Sequence, residues 1–256
     1  MATGGKKPSV RGVGNFVQVF DKILQTLAEY KDKAYTFTKD AARKIKLRLY
    51  GKQIAVLGPV AAGKTSLLHV LKDQNADVDP MAYEKTTDAV AFSDRLFVEW
   101  KLPLDDTGKK AEVIRFKVRK PKDVGGEAAQ RDTQTGWIDV CRESDFLFYL
   151  FDASTYSEDK ALARIREDFD WIANNAQAFA PGFKIVVLAN KVDKLIVDKA
   201  IHAAFERQLP KIEDTMRDAL GPYSNHLVAA TPCCLLSCKD RTNAISLALK
   251  HLAELL

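Results

Sequence analysis

Ile54-Ala-Val-Leu57, then Gly58-Pro59-Val60-Ala61-Ala62-Gly63-Lys64-Thr65, then Ser66-Leu-Leu-His-Val-Leu71: this stretch decides the fold. Its middle fits the phosphate-binding pattern G-x-x-x-x-G-K-[ST] without a mismatch, and it lies where the pattern must lie, after an apolar strand and before a helix. The glycines let backbone N–H groups turn inward, so that residues 58–66 and the helix N-terminus form a cradle for phosphate oxygens. Lys64 would reach the β- and γ-phosphates, and the Thr65 hydroxyl would ligate Mg²⁺. A turn that only joined a strand to a helix would need neither the lysine nor the hydroxyl. The expected ligand is a nucleoside triphosphate.

The base is read further along. Lys184-Ile-Val-Val-Leu-Ala-Asn190-Lys191-Val192-Asp193 is an apolar run ending in N-K-x-D. A carboxylate at Asp193 would accept hydrogen bonds from N1–H and the exocyclic amine of guanine, whereas adenine lacks that donor pair and would leave the charge unmatched. Asn190 would brace the loop, and the Lys191 stem would lie over the base plane. Between the two motifs, Val113-Ile-Arg-Phe-Lys-Val-Arg119 alternates as a strand does. It leads to Asp123-Val-Gly-Gly126, a D-x-x-G match in which Asp123 would hold Mg²⁺ through a water and the Gly126 N–H would meet the γ-phosphate. Last comes Ser237-Cys238-Lys239, after the apolar run Cys233–Leu236. It is similar to an S-A-K loop whose backbone contacts the guanine carbonyl.

In this order the motifs resemble those of the Ras-like small GTPases of the P-loop superfamily. The D-V-G-G form, followed by Trp137 and by Asp145-Phe-Leu-Phe-Tyr-Leu-Phe-Asp152, looks closest to the Arf-like and signal-recognition-particle-receptor-β-like branch. The resemblance spans Lys52 to Leu256. It implies GTP and GDP as ligands with Mg²⁺, hydrolysis of GTP to GDP, and a nucleotide-controlled switch read by a protein effector or regulator. Two positions depart from the family pattern. The residue after D-x-x-G, usually a glutamine that orients the attacking water, is Glu127, which is repelled by a triphosphate and offers only acceptors. Slow hydrolysis without a partner follows, or, as the alternative, a GTP-binding scaffold with negligible turnover. The switch threonine over the γ-phosphate is Thr86 or Thr87 of Tyr83-Glu-Lys-Thr-Thr-Asp88, with Thr87 preferred. The catalytic set is thus Lys64, Thr87, Gly126 and Glu127, and the metal set Thr65, Thr87 and Asp123. No arginine finger is assigned, Arg131 being the one candidate weighed.

Composition fits one GTPase domain plus an extension. At 256 residues and 46% hydrophobic content the chain can bury a large core. Cys141, Cys233, Cys234 and Cys238 form no C-x-x-C pair and read as reduced thiols, and no run has transmembrane length. A cytoplasmic protein, peripheral at a membrane at most, is expected. Residues 1–52 carry twelve Lys/Arg and four Asp/Glu, a net +8 against +5 for the whole chain, which leaves the remainder at −3. Residues 1–50 therefore form a basic extension and 51–256 the GTPase domain. Within the extension Phe16, Phe20, Ile23, Leu24 and Leu27 mark one face of a helix, suited to the GTPase body, a partner or an anionic lipid surface. Lysines without aromatic interleaving speak against nucleic acid. Asp40 to Tyr50 reads equally as a strand approach or a helix end.

Strands are expected in 51–57, 90–100, 113–119, 146–151, 185–189 and 233–236, and helices in 64–72, 128–141, 160–179, 198–220 and 242–256. Such alternation predicts an α/β, three-layer fold with a mostly parallel six-stranded sheet, an added N-terminal helix, and ligands at the carboxyl ends of the strands.

Overall fold

A computed structural model of the chain describes residues 38–50, 52–75, 90–91, 95–104, 109–119, 122–123, 131, 136–196 and 198–254, all within the compact unit Tyr35–Leu256. The amphipathic segment of residues 16–27 and the residues Thr86, Thr87, Gly126 and Glu127 lie outside the described residues.

The sheet has six strands. They are β1 (Gln53–Leu57), β3 (Arg95–Pro103), β4 (Ala111–Arg119), β6 (Phe146–Asp152), β7 (Lys184–Asn190) and β8 (Leu227–Pro232), in the spatial order β3-β4-β1-β6-β7-β8. Only β3 runs antiparallel, as a hairpin with β4; the other five are mutually parallel. A separate two-stranded ladder joins β2 (Val90–Ala91) to β5 (Lys122–Asp123), with Val90 opposite Asp123.

Parallel strands need coverage on both faces, and the core obeys this rule residue by residue. Ile54 and Val56 of β1, Phe146, Phe148 and Leu150 of β6, and Val186 and Leu188 of β7 belong to one buried cluster. Ala55 and Leu57, Leu147, Tyr149 and Phe151, and Ile185, Val187 and Ala189 belong to the other. The period-two alternation of a strand thus splits each apolar run between two cores. Helices α1 (Lys39–Leu49), α2 (Lys64–Lys72) and α7 (Cys238–Glu254) fill the first with Ala42, Ile45, Leu67, Leu71, Ile245 and Leu249. Helices α3 (Trp137–Cys141), α4 (Asp159–Asn174) and α6 (Lys199–Leu220) fill the second; the short α5 (Asp193–Ile196) adds Leu195. In α6 the core residues Phe205, Leu209, Ile212, Met216 and Leu220 recur at helical spacing, and Asp198 caps the first turn by accepting from Ala200 and Ile201.

One open reading is settled and four local expectations are revised. Asp40–Tyr50, left open between strand and helix, is helical: Thr38 caps α1 by accepting from Ala41, and Ala42 and Ile45 lie three apart on its buried face. Residues 90–100, expected as one strand, divide between β2 and β3. Cys233–Leu236, expected as the last strand, is the loop that follows it. The strand is Leu227–Pro232, and α7 begins at Cys238 instead of Thr242. Residues 160–179 hold a helix that ends at Asn174, with a 3₁₀ turn at Ala176–Ala178.

Candidate functional site

Because β1, β6, β7 and β8 are parallel, their carboxyl ends open on the same edge of the sheet. Four loops meet there. The loop after β1 is built by three residues with positive φ: Gly58 (144°), Ala61 (60°) and Gly63 (102°). Two of them have no room for a side chain. A Cβ on Gly58 would stand 2.1 Å from the Leu150 carbonyl oxygen of β6, and one on Gly63 would stand 2.3 Å from Asn190 Nδ2. Glycine is therefore required by both backbone conformation and close approach. Gly63 leads directly into α2, whose first residue, Lys64, is buried. Its ammonium donates to the Gly58 and Pro59 carbonyls at 3.0 and 2.9 Å, which holds the charge over the loop. Val60 and Ala61 are exposed at the loop's crest, Ala62 is buried beneath it, and Thr65 and Ser66 follow half-buried in the first turn of α2.

Asn190 ties the loops together. Its side chain is buried, donates to the Ala62 carbonyl at 2.9 Å and accepts from the Leu235 N–H at 3.2 Å. One carboxamide thus spans the loops after β1, β7 and β8, using its amide N–H and its carbonyl oxygen on one backbone group each. Two backbone bonds reinforce the second junction: Cys233 N to Ala189 O at 2.9 Å, and Val192 N to Cys233 O at 3.4 Å. The adjacent Lys191 is in the left-handed region, at φ 66°, and its ammonium reaches Asp152 Oδ2 at 2.6 Å. Asp193 opens α5. Its Oδ1 is buried and has no hydrogen-bond partner among the described residues. A shielded carboxylate oxygen without a donor is an unusual cost in a folded chain, and it fits a ligand that brings N–H groups. Behind it, burial pushes the Cys234 thiol up to about 11, with the Asp193 carboxylate acting in the same sense.

The Ser237-Cys238-Lys239 motif falls at the start of α7, where Ser237 N donates to Cys234 O at 3.3 Å and Ser237 O accepts from Arg241 N at 2.9 Å. Cys238 and Lys239 are placed only in their backbone. Leu235 is held from both sides, since Arg241 Nη1 donates to its carbonyl at 3.2 Å. Asp123 is likewise defined in its backbone, in β5. The residues brought together are therefore Gly58 to Ser66, Asn190, Lys191, Asp193 and the loop reaching Ser237. Thr87, Gly126 and Glu127 cannot be placed with them. Among the described residues no group of three or more His, Cys, Asp or Glu is arranged to hold a metal ion.

Arg131, weighed as an arginine finger, has other partners. Its side chain is buried, with Nη1 at 3.3 Å from Asp168 Oδ1 and Nη2 at 3.1 Å from Glu167 Oε2, and it lies 5.8 Å from the Trp137 ring centre. Asp168 is fully buried in α4 and also accepts from Arg164 at 2.9 Å and from the Tyr149 hydroxyl at 2.8 Å. Burial pushes its carboxyl up against the opposing pull of Arg164, Tyr149 and Arg131, and burial together with Asp168 raises the Tyr149 phenol. Arg131 is thus a member of a buried ionic cluster on the far core, a correction to its candidacy at the site.

Sequence reasoning also missed Asp152. Its Oδ1 accepts from Ser154 N and Oγ at 2.9 and 2.6 Å, while Oδ2 receives Lys191. The signal available was a carboxylate at the carboxyl end of β6, one strand away from the N-K-x-D end of β7. The register places Asp152 opposite Asn190.

No protein-family profile matches the chain, and no curated protein is similar to it in sequence. Solved structures are similar to it, and they include small GTPases. One is a GDP complex of an ADP-ribosylation-factor-like GTP-binding protein, the small COPII coat GTPase SAR1 of Encephalitozoon cuniculi. It is 18% identical, with 94% of this chain and 93% of that one covered, at a TM-score of 0.44. Another is the signal recognition particle receptor SRb-GTP/SRX complex of Chaetomium thermophilum, 15% identical over 73% of this chain and 91% of that one, at 0.42. A crystallised variant of SsGBP is 16% identical over 86% of this chain, at 0.48. The chain spans about two thirds of that protein's length, 66%. With TM-scores below 0.5, none of these likenesses bears on what this chain binds or does.

Proposed function

We propose that the chain has the three-layer P-loop GTPase fold, binds GTP and GDP, and hydrolyses GTP as a nucleotide-controlled switch. The observation that carries this reading is the Asn190 clamp. It holds a left-handed, lysine-bearing glycine loop against a loop that presents an unpaired buried carboxylate oxygen at Asp193.

In this reading residues 58–66 surround the phosphates with backbone N–H groups at the head of α2. Lys64 moves its ammonium from the Gly58 and Pro59 carbonyls onto the β- and γ-phosphate oxygens, neutralising charge as it develops. The Asp193 carboxylate, Oδ1 among its two oxygens, accepts from the guanine N1–H and amine, the Lys191 stem covers the base, and the backbone of Ser237 to Lys239 meets the guanine carbonyl. Bound Mg²⁺ would supply charge neutralisation between the phosphates, held by the Thr65 hydroxyl and Thr87 and, through water, by Asp123. Gly126 and Thr87 respond to the γ-phosphate, and its loss releases their segments. Val90 and Asp123, three positions from Thr87 and from Gly126, are paired by an antiparallel ladder, which supports a shared response of the two segments in this reading.

GTP turnover by the purified chain with Mg²⁺, beside Lys64→Ala and with binding measured separately, tests the proposal. Turnover above the control supports the enzyme. Binding with turnover no higher than the control moves the reading to a GTP-binding scaffold, as Glu127 in the glutamine position favours. Failure to bind either nucleotide overturns both.

A further inference from the structure

The strongest unabsorbed feature near the site is the ion pair between Lys191 and Asp152. Both side chains are mostly buried, at 25% and 19% exposure, and the separation is 2.6 Å. An ordinary surface pair holds two mobile side chains and contributes little. Here the acceptor is already fixed, because Ser154 donates to Asp152 Oδ1 from both its backbone and its hydroxyl. The donor is constrained as well, since Lys191 holds a left-handed φ of 66° that a non-glycine residue seldom adopts.

Geometry gives the pair a direction. Asp152 and Asn190 are register partners on adjacent parallel strands, so the Lys191 side chain must run sideways from the β7 end to the β6 end. Adjacent strands lie about 4.8 Å apart, which is within the reach of an extended lysine stem. The four methylenes therefore lie across the mouth of the site as an apolar rail, with the charge tied off at its far end. Two residues further on stands Asp193 with its unpaired oxygen.

We propose that Asp152 is a positioning residue for base recognition: it holds Lys191 flat, so that the lysine stem forms the surface on which a guanine ring rests. This rests on the guanine-nucleotide reading above. Asp152 itself touches neither base nor phosphate; it acts only through Lys191.

The test is a double-mutant cycle on the full chain with Asp152→Asn, Lys191→Met and the pair, read by the affinity of a fluorescent GDP analogue. Direct calorimetric titration of the same samples with tripolyphosphate reports the phosphate loop without the base. Asp152→Asn should weaken the GDP analogue about fivefold, the upper end for such a pair. Tripolyphosphate affinity should stay as in the native chain, and the double variant should be no weaker than Lys191→Met. Additive losses would overturn the proposal, as would an equal loss for tripolyphosphate, which would mark general loosening. Native chain that binds tripolyphosphate but not the GDP analogue would instead overturn the guanine reading on which the proposal stands.

Discussion

Replacing Asn190 by alanine removes a side chain that joins three loops. The structure sets the size of the effect. Asn190 donates to the carbonyl of Ala62 and accepts from the N–H of Leu235, and both of those residues are buried, at 0% and 2% exposure. Each backbone group left without its partner costs about 1–3 kcal/mol, so the pair amounts to roughly 2–6 kcal/mol. That is a large share of a total stability of about 5–15 kcal/mol. For a domain of this size each kcal/mol shifts the melting temperature by roughly 2–4 °C, which predicts a fall of about 4–24 °C. Asn190→Asp should do no better, because it keeps the acceptor for Leu235 but sets a carboxylate against the Ala62 carbonyl. The assay is thermal unfolding without nucleotide, followed by a nucleotide titration below the melting range. Nucleotide affinity should fall together with stability, since the loops after β7 and β8 lose their common brace. A variant that melts within about 2 °C of the native chain and binds nucleotide unchanged would refute the clamp.

Gly63→Ala forces a Cβ against the same amide nitrogen at 2.3 Å and strains a φ of 102°, so it should lower the melting temperature and weaken nucleotide binding in parallel; unchanged values in both would contradict the close approach. Asp168→Ala strips Tyr149, Arg164 and Arg131 of their shared buried acceptor and should destabilise by about 3–5 kcal/mol in urea unfolding; a loss below 1 kcal/mol would remove the cluster from the core's account. Burial opposes the Asp152 charge, but Lys191 and Ser154 outweigh it and hold the carboxyl below its ordinary value of 3.8. A depressed carboxyl stabilises above its unfolded pKa and loses that contribution as pH falls through the folded one, so the stability gap between native chain and Asp152→Asn should close below about pH 4; a gap unchanged from pH 7 to pH 3 would contradict it. Cys141, Cys233 and Cys234 are buried, and burial raises the Cys141 and Cys234 thiols. A Cys238→Ser variant should therefore react with a thiol reagent at pH 8 only after unfolding, and fast labelling of the folded protein would count against this core.

Much of the site was legible because its chemistry is local. The glycine loop after β1 and its helix were read from one unbroken stretch, and α2 begins and ends where the pattern placed it, at Lys64 and Lys72. β6 and β7 were legible because strands buried on both faces are written as continuous apolar runs. The same signal misled at Cys233–Leu235. Those residues are buried, but as a loop folded over the sheet edge and pinned through Leu235 between Asn190 and Arg241. Apolarity reports burial; the strand itself, Leu227–Pro232, has a mixed burial pattern at the sheet's edge and a weaker signature. The pairings of Arg131 and Asp152 were not legible for another reason. Their partners are 37 and 39 positions away in Asp168 and Lys191, and only the packing of α4 and the strand register bring them together.

Recognition of the base by Asp193 is the central proposal. Its direct test is calorimetric titration of the native chain and Asp193→Ala with GDP and ADP in Mg²⁺. The native chain should prefer GDP by at least about 100-fold, the discrimination expected when a buried acceptor loses its donors, and Asp193→Ala should erase that preference. Equal affinity of the native chain for GDP and ADP, or a preference that survives Asp193→Ala, would contradict the account.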